Sequence, residues 1–320
     1  MSNDTELWRP SASFSMLERR ASMLRKARQY FGATRALEVE TPTFSKAAVS
    51  DVHLASVAAQ VCGQSAYLHT SPEYTMKRLL AAGAGDLFQI ARVYRDGESG
   101  RYHNPEFTLI EWYRLALDHH QLMEDVERLI GSMAPSLCVD RGERLTYREA
   151  VQMHAGVDAF NDELGMLLAA LQRAQIDVPR DLHNDRDGLL DLIMATIVGP
   201  RLGQTRLTFI YDYPASQAAL ARIRGAVASR FEVYLNGIEL ANGFHELGDA
   251  TEQRLRFAQD LAQRQQRGLI QAPIDEHFLT ALAQGLPDCA GVALGFDRLV
   301  MCASGATHIN EVLAFPFERA

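Results

Sequence analysis

The sequence predicts an α+β fold, an antiparallel sheet flanked by helices, in one domain spanning residues 1–320. Three observations carry that expectation. Two long strand-like runs, residues 87–95 and 106–115, are joined by a polar, glycine-containing loop. A second pair, residues 231–235 and 238–240, is joined by Asn236-Gly237, the strongest short hairpin signal. The helical patterns are grouped between these hairpins, which favours an antiparallel sheet. The βαβ alternation of a dinucleotide-binding domain is missing, as are the GxGxxG and GxxxxGK[ST] phosphate loops.

Taken in order, residues 13–32 predict a helix: Leu17, Ala21, Leu24 and Phe31 recur at helical spacing, and Ser15 with Glu18 suits a capping box. Arg19, Arg20, Arg25, Lys26 and Arg28 occupy its other positions, as a solvated face or a local docking face. Strands are predicted at 37–40, 52–61 and 66–69. Ser71-Pro72 reads as an N-cap followed by proline at the first helical position, opening a helix to about residue 82. Residues 119–133 are helical, and 140–204 is expected to be an inserted helical region with few chemical signals. Strands return at 206–211 and in the 231–240 hairpin; 249–268 and 275–285 read as helices, and 291–304 as strand, turn and helix.

Composition narrows the function. Residues 1–35 hold seven Lys/Arg against three Asp/Glu, and the rest of the chain holds 25 against 37, a net −12. An acidic body of that kind argues against a broad nucleic-acid footprint. Cys62, Cys138, Cys289 and Cys302 form no CxxC pair and have no histidine at zinc spacing, so reduced thiols are expected. The best apolar run, residues 189–198, is short and carries Asp191, well under a membrane span. Residues 1–10 are polar and read as no secretory signal, which makes the cytoplasm the expected compartment.

Four segments can carry chemistry. The loop Asp96-Gly-Glu-Ser-Gly-Arg-Tyr-His-Asn104 is long for a hairpin and brings Arg95, Arg101, His103 and Asn104 to one strand tip. On the returning strand, alternation puts Phe107, Glu111 and Tyr113 on one face. The 231–240 hairpin pairs Tyr234 with Glu239 and Glu232 with Ala241, leaving Phe231, Val233, Leu235, Ile238 and Leu240 toward the core. A bulge at Asn242-Gly243 would then turn Glu246 to the face of Glu239, two converging carboxylates of the kind a hard cation requires. Gly291-Val-Ala-Leu-Gly295 runs into a helix whose first turn carries Arg298, and Ser71-Pro-Glu-Tyr74 puts Glu73 in another first turn.

In this order, the segments resemble the catalytic core of class II aminoacyl-tRNA synthetases, in the lysyl branch, from about residue 13 onward. Leu37-Glu-Val-Glu-Thr-Pro42 is similar to the dimer-forming first motif, Arg95 through Arg114 to the second, and Gly295-Phe-Asp-Arg298 to the third. Ser71-Pro-Glu73 and Glu239-Leu-Ala-Asn-Gly-Phe-His-Glu246 are similar to the substrate and metal segments of that branch. Within it, the nearest resemblance is to the truncated paralogues that lysylate elongation factor P. Two features differ from the synthetases: Gly97 replaces the glutamate of the Arg-x-Glu pattern, with Glu98 one place later, and Ala293 replaces a pocket glycine.

The resemblance implies ATP-dependent activation of (R)-β-lysine or lysine, then transfer to a lysine of elongation factor P. It assigns Arg95 and Arg298 to catalysis at the phosphates and the substrate carboxylate. Asp96, Gly97, His103, Asn104, Phe107, Glu239, Leu240 and Gly295 would complete the ATP site, with Phe107 and Arg298 sandwiching adenine. Ser71, Pro72, Glu73, Tyr113, Glu246 and Ala293 would line the amino-acid site, and Glu239 with Glu246 would hold Mg²⁺. A homodimer is implied, with no anticodon-binding barrel, no membrane association and no stable tRNA binding; the basic face of the first helix would receive the protein acceptor. Three alternatives stay open: a tRNA-charging enzyme, an asparagine synthetase-like enzyme, and a non-enzymatic regulatory paralogue.

Overall fold

The computed structural model describes residues 8–271 and 273–320. In chain order the elements are α1 (Phe14–Ala33), β1 (Leu37–Glu38), β2 (Phe44–Ser45), β3 (Ala58–Val61), β4 (Gln64–Leu68), α2 (Glu73–Ala81), β5 (Leu87–Tyr94) and β6 (Glu106–Leu115). Then follow α3 (His119–Met133), β7 (Glu143–Thr146), α4 (Tyr147–Ala155), α5 (Leu164–Arg173), α6 (Arg186–Ile193), β8 (Thr208–Pro214) and β9 (Ile223–Arg224). The chain closes with β10 (Val227–Leu235), β11 (Ile238–His245), α7 (Ala250–Gln266), α8 (Glu276–Gly285), β12 (Cys289–Gly295) and α9 (Phe296–Ser304).

The large sheet runs β1-β5-β6-β12-β11-β10-β8-β7, with β9 beside β10, and a small sheet runs β2-β4-β3. The pairs are antiparallel except β1 with β5 and β7 with β8, both at the edges. Period-2 alternation divides the central strands cleanly. Ile110, Trp112, Phe231, Val233, Val292 and Leu294 enter the main core with Met23, Ala27 and Phe31 of α1 and Leu122, Val126 and Ile130 of α3. The opposite face, carrying Phe107, Glu111, Tyr113 and Ala293, is left for the site.

Several expectations change. The cap of α1 is Ser13, whose hydroxyl accepts from the Met16 amide, so the Ser15–Glu18 box does not form. The stripe α1 buries is Met23, Ala27 and Phe31, while Ala21 is exposed. Residues 52–57 are a loop and not strand: Asp51 caps the His53 amide at 2.7 Å, and the Arg264 guanidinium takes the Asp51 and Leu54 carbonyls at 2.6 and 3.0 Å. Acceptors satisfied by a guanidinium have no need of a sheet ladder. The 140–204 region is not wholly helical, because β7 extends the large sheet beside β8. Its helices build their own core, in which Tyr147, Leu167, Leu190 and Val198 pack on Ile210, Tyr213 and Tyr234 of the sheet.

Candidate active site

Above the polar face of the sheet lies a cavity of about 1250 Å³. Its wall includes Ser71, Glu73, Arg95, His103, Asn104, Phe107, Glu239, Leu240, Ala293, Gly295 and Arg298. Of the other expected residues, Pro72, Tyr113 and Glu246 are buried behind that wall and Asp96 and Gly97 are exposed outside it; Glu98 reaches it where Gly97 does not.

The hairpin sets which carboxylates face the cavity. Asn236 and Gly237, at φ +52° and +72°, make the two-residue turn that brings Leu235 opposite Ile238. Tyr234 pairs with Glu239 as expected, but Val233 pairs with Ala241 and Glu232 with Asn242. The extra residue is therefore Leu240, not Asn242-Gly243. Leu240 and Ala241 both reach the core, which turns the following residues by one position. Gly243 serves close packing: a Cβ there would lie 2.5 Å from the Phe231 ring and 2.9 Å from Val292. Glu232, Glu239 and Asn242 consequently share the cavity wall.

At the arginine-lined end, Arg298 in the first turn of α9 donates to the Glu239 carbonyl at 3.0 Å and to the Tyr102 carbonyl at 3.2 Å. Its third contact, 2.6 Å to His103 Nε2, makes that nitrogen the acceptor. Burial and then the Arg298 charge hold His103 below the usual histidine range, consistent with a neutral ring. The Arg95 guanidinium lies 5.0 Å from the Phe107 ring centroid, with Nη1 3.5 Å from Glu98 and Nε buried without a partner. Phe107 is thus covered by Arg95. Asn104 has both amide ends engaged by backbone, Glu106 carbonyl at 2.6 Å and Phe317 amide at 3.0 Å, and pins the C-terminal segment to the loop. A Cβ on Gly295 would meet nothing closer than 3.6 Å, so the missing side chain leaves space that a ligand can use.

Glu239 and Glu246 do not converge. The Glu239 side chain is 40% exposed, through the cavity. Its pKa is pushed up to about 7 by burial and by Glu232, against Arg298, Arg230 and Arg95. Glu232 is held by Arg230 at 2.6 Å and by the Tyr234 hydroxyl at 2.6 Å. A cavity-wall carboxylate whose pKa is raised by burial and by a neighbouring carboxylate is short of positive charge, which is what a divalent cation supplies. Among the cavity-wall carboxylates, Glu232 and Glu239 are the pair that could hold a divalent cation.

Glu246 belongs to a second group. Its Oε2 lies 2.5 Å from Lys77 Nζ, which also lies 2.6 Å from Glu73 Oε1. Glu111 accepts from the Ser71 hydroxyl at 2.6 Å and the Tyr113 hydroxyl at 2.8 Å. Burial and the charge of Glu73 push the Glu111 carboxyl up to about 8; burial likewise pushes Glu246 up to about 8, with Lys77 opposing. Gly291 makes room for this arrangement, since a Cβ there would overlap Tyr113 and lie 2.5 Å from Glu246 Oε1.

Sequence reasoning missed Glu232, Lys77, Gly291 and one arginine of the first helix. Arg20 lies 2.6 Å from buried Asp297 Oδ1, while Asp297 Oδ2 accepts from the Thr108 amide at 2.8 Å. That bridge fixes the start of α9 and hence Arg298. Arg19 binds the Ala303 carbonyl, Arg28 pairs with Glu38 and Lys26 reaches the Met133 carbonyl. The expected docking face is therefore largely engaged within the chain, and Arg20 is not part of it. Among the described residues no helix is long and apolar enough to cross a membrane.

Comparison with known proteins agrees with this geometry. Residues 5–319 match the family tRNA synthetases class II (D, K and N). The chain is 48% identical to an elongation factor P–(R)-β-lysine ligase of Vibrio cholerae, over 98% of each chain. Proteins of the same name from Yersinia enterocolitica and Salmonella arizonae are 46% and 47% identical over 99% of this chain and, respectively, 100% of each of theirs. A hairpin-built antiparallel sheet, an arginine at the start of α9 and near-complete alignment lead to one conclusion: the chain belongs to the class II tRNA synthetase family of the D, K and N type.

Proposed function

We propose that this protein is an ATP-dependent ligase that activates (R)-β-lysine, or lysine, as an aminoacyl-adenylate and transfers it to a lysine side chain of elongation factor P. The observation that carries this reading is one cavity lined by Arg95, Arg298 and Glu73, with Lys77, Glu111 and Glu246 buried behind Glu73. The names of the full-length relatives support the same substrate and acceptor.

In the first half-reaction a carboxylate oxygen of the amino acid attacks the α-phosphorus of ATP and pyrophosphate leaves. Arg95 would hold the α-phosphate and the substrate carboxylate, and Arg298 the terminal phosphates, with planar forks suited to both. His103, neutral, orients the Arg298 fork. Glu232 and Glu239 would hold Mg²⁺, which when bound neutralises charge on the phosphates. Stacking adenine on Phe107 requires the Arg95 side chain to leave the ring it now covers. Glu73 offers its carboxylate to a substrate ammonium, and Ala293 narrows the pocket floor beside Leu109. In the second half-reaction a neutral acceptor amine attacks the adenylate carbonyl and AMP leaves, so positioning and electrostatics do the work without a covalent enzyme intermediate.

The protein is proposed to act in the cytoplasm as a homodimer paired around residues 38–42, where β1 is an edge strand and Leu37 is 59% exposed. Light scattering at micromolar concentration should give about twice 35.6 kDa. The decisive experiment incubates enzyme, ATP and each lysine isomer with purified elongation factor P or total tRNA. Mass gain on the factor is expected; charged tRNA with an unmodified factor would overturn the acceptor assignment, and no amino-acid-dependent ATP–pyrophosphate exchange would overturn the whole reading.

A further inference from the structure

We infer that Lys77 is a positioning residue that sets the charge of the amino-acid subsite, leaving two uncompensated carboxylates to read an amino acid with two ammonium groups. This rests on the proposed function above. Lys77 is 1% exposed, one turn after Glu73 on α2, and its ammonium ties Glu73 to Glu246 beyond β11. Burial alone would lower its pKa, but Glu246 and then Glu73 raise it, so it stays charged. The Phe278 ring of α8 lies 5.8 Å from the ammonium and closes its remaining side. Glu111, 2% exposed, is held by Ser71 and Tyr113.

When a substrate's ammonium groups draw all three carboxylates into the ionised form, one lysine leaves a deficit of two positive charges. Without Lys77 the deficit would be three, beyond what a lysine isomer brings. With Lys77 the count matches the two ammonium groups of the substrate, while its carboxylate goes to Arg95. Lys77 thus acts through Glu73 and Glu246 and touches no reacting atom. Norleucine, which lacks the distal ammonium, leaves the subsite one charge short.

Selectivity for lysine over norleucine in ATP–pyrophosphate exchange tests the count. Glu111→Gln leaves one uncompensated carboxylate, and selectivity should fall about 10-fold or more, chiefly through KM for lysine. Adding Lys77→Met to Glu111→Gln returns the count to two, and most of the selectivity should return. Lys77 is not hydrogen-bonded to Glu111, so a local structural role gives no such rescue. The pair Glu246→Gln and Lys77→Met/Glu246→Gln repeats the test with the carboxylate Lys77 does contact, and covers the first double variant should it fail to fold. Double variants no more selective than their single parents would overturn the inference. A parental enzyme without lysine-dependent exchange would instead overturn the proposed function.

Discussion

The two faces of β6 bury polar groups in opposite ways. On the helix side, Asp125 of α3 accepts from Trp112 Nε1 at 3.0 Å, from Arg114 Nε at 2.8 Å and from the Tyr30 hydroxyl. Arg114 also donates to Asp86 at 3.2 Å and to Thr34 at 2.8 Å. Donors and acceptors there are matched by the protein itself, and they lock α1, α3 and β6 together. One residue along the same strand, Glu111 and Tyr113 turn to the opposite face, behind the cavity wall, and join a group with carboxylates in excess. A buried network that the chain completes is structural; one that it leaves short of charge awaits a ligand.

Breaking each side should give opposite phenotypes. The largest expected effect is on stability: Asp125→Ala leaves Arg114 buried without its main partner and should cost about 3–5 kcal/mol. Denaturant midpoints would report the loss, while exchange activity per folded molecule stays near parental. Next comes Arg298→Ala, where removing a charged contact to the transition state should slow exchange by roughly 10²–10³. Its denaturation midpoint should move far less than that of the Asp125 variant. Equal losses of stability in both variants would erase the distinction between the faces.

The helix-side architecture was more legible in the sequence than the site. Core positions Ile110 and Trp112, and Val292 and Leu294, lie two residues apart in strand-like runs, and Asn236-Gly237 announces its turn. The bulge was misplaced because Asn242-Gly243 looks like a break, although Gly243 is needed for contact with Phe231. That single register error paired Glu239 with Glu246 and hid Glu232. Lys77 reads as an ordinary i,i+4 partner of Glu73, and nothing local shows that it also meets Glu246, which lies far along the chain. Arg20 looked like its basic neighbours because its partner Asp297 lies at the far end of the sequence. Long-range charge pairing leaves no periodic trace, and the site is built from it.

A smaller effect sharpens the reading of the cavity floor. Ala293 faces the cavity and packs with Ala91, Val93, Leu109 and Phe107. In a close-packed pocket one methyl discriminates by about 1–3 kcal/mol. Ala293→Gly should therefore improve α-lysine relative to (R)-β-lysine by about 10-fold or more in exchange kcat/KM. An unchanged ratio would remove this methyl from the specificity argument.

The smallest change, taken per unit of pH, separates the faces by titration. Glu111 and Glu246 are pushed up to about 8 from an ordinary 4.5, so the folded protein keeps protons that the unfolded chain releases. The stability they contribute is fully present below pH 4.5 and is lost as pH rises toward 8. Linkage limits the slope to about 1.4 kcal/mol per pH unit for each proton held, and sharing of Lys77 between carboxylates keeps it lower. On the helix side, burial and then Asp125 push Tyr30 up to about 12 from 10.0. Its contribution is intact until pH 10 and is lost only between 10 and 12. Urea midpoints of the unliganded enzyme should thus drift down between pH 5 and 8, and Glu111→Gln should flatten that drift by removing one titrating group. Tyr30→Phe should leave it untouched. A parental midpoint that rises from pH 5 to 8 would mean that the cavity carboxylates are already ionised and compensated, and the contrast between the two faces of β6 would fail.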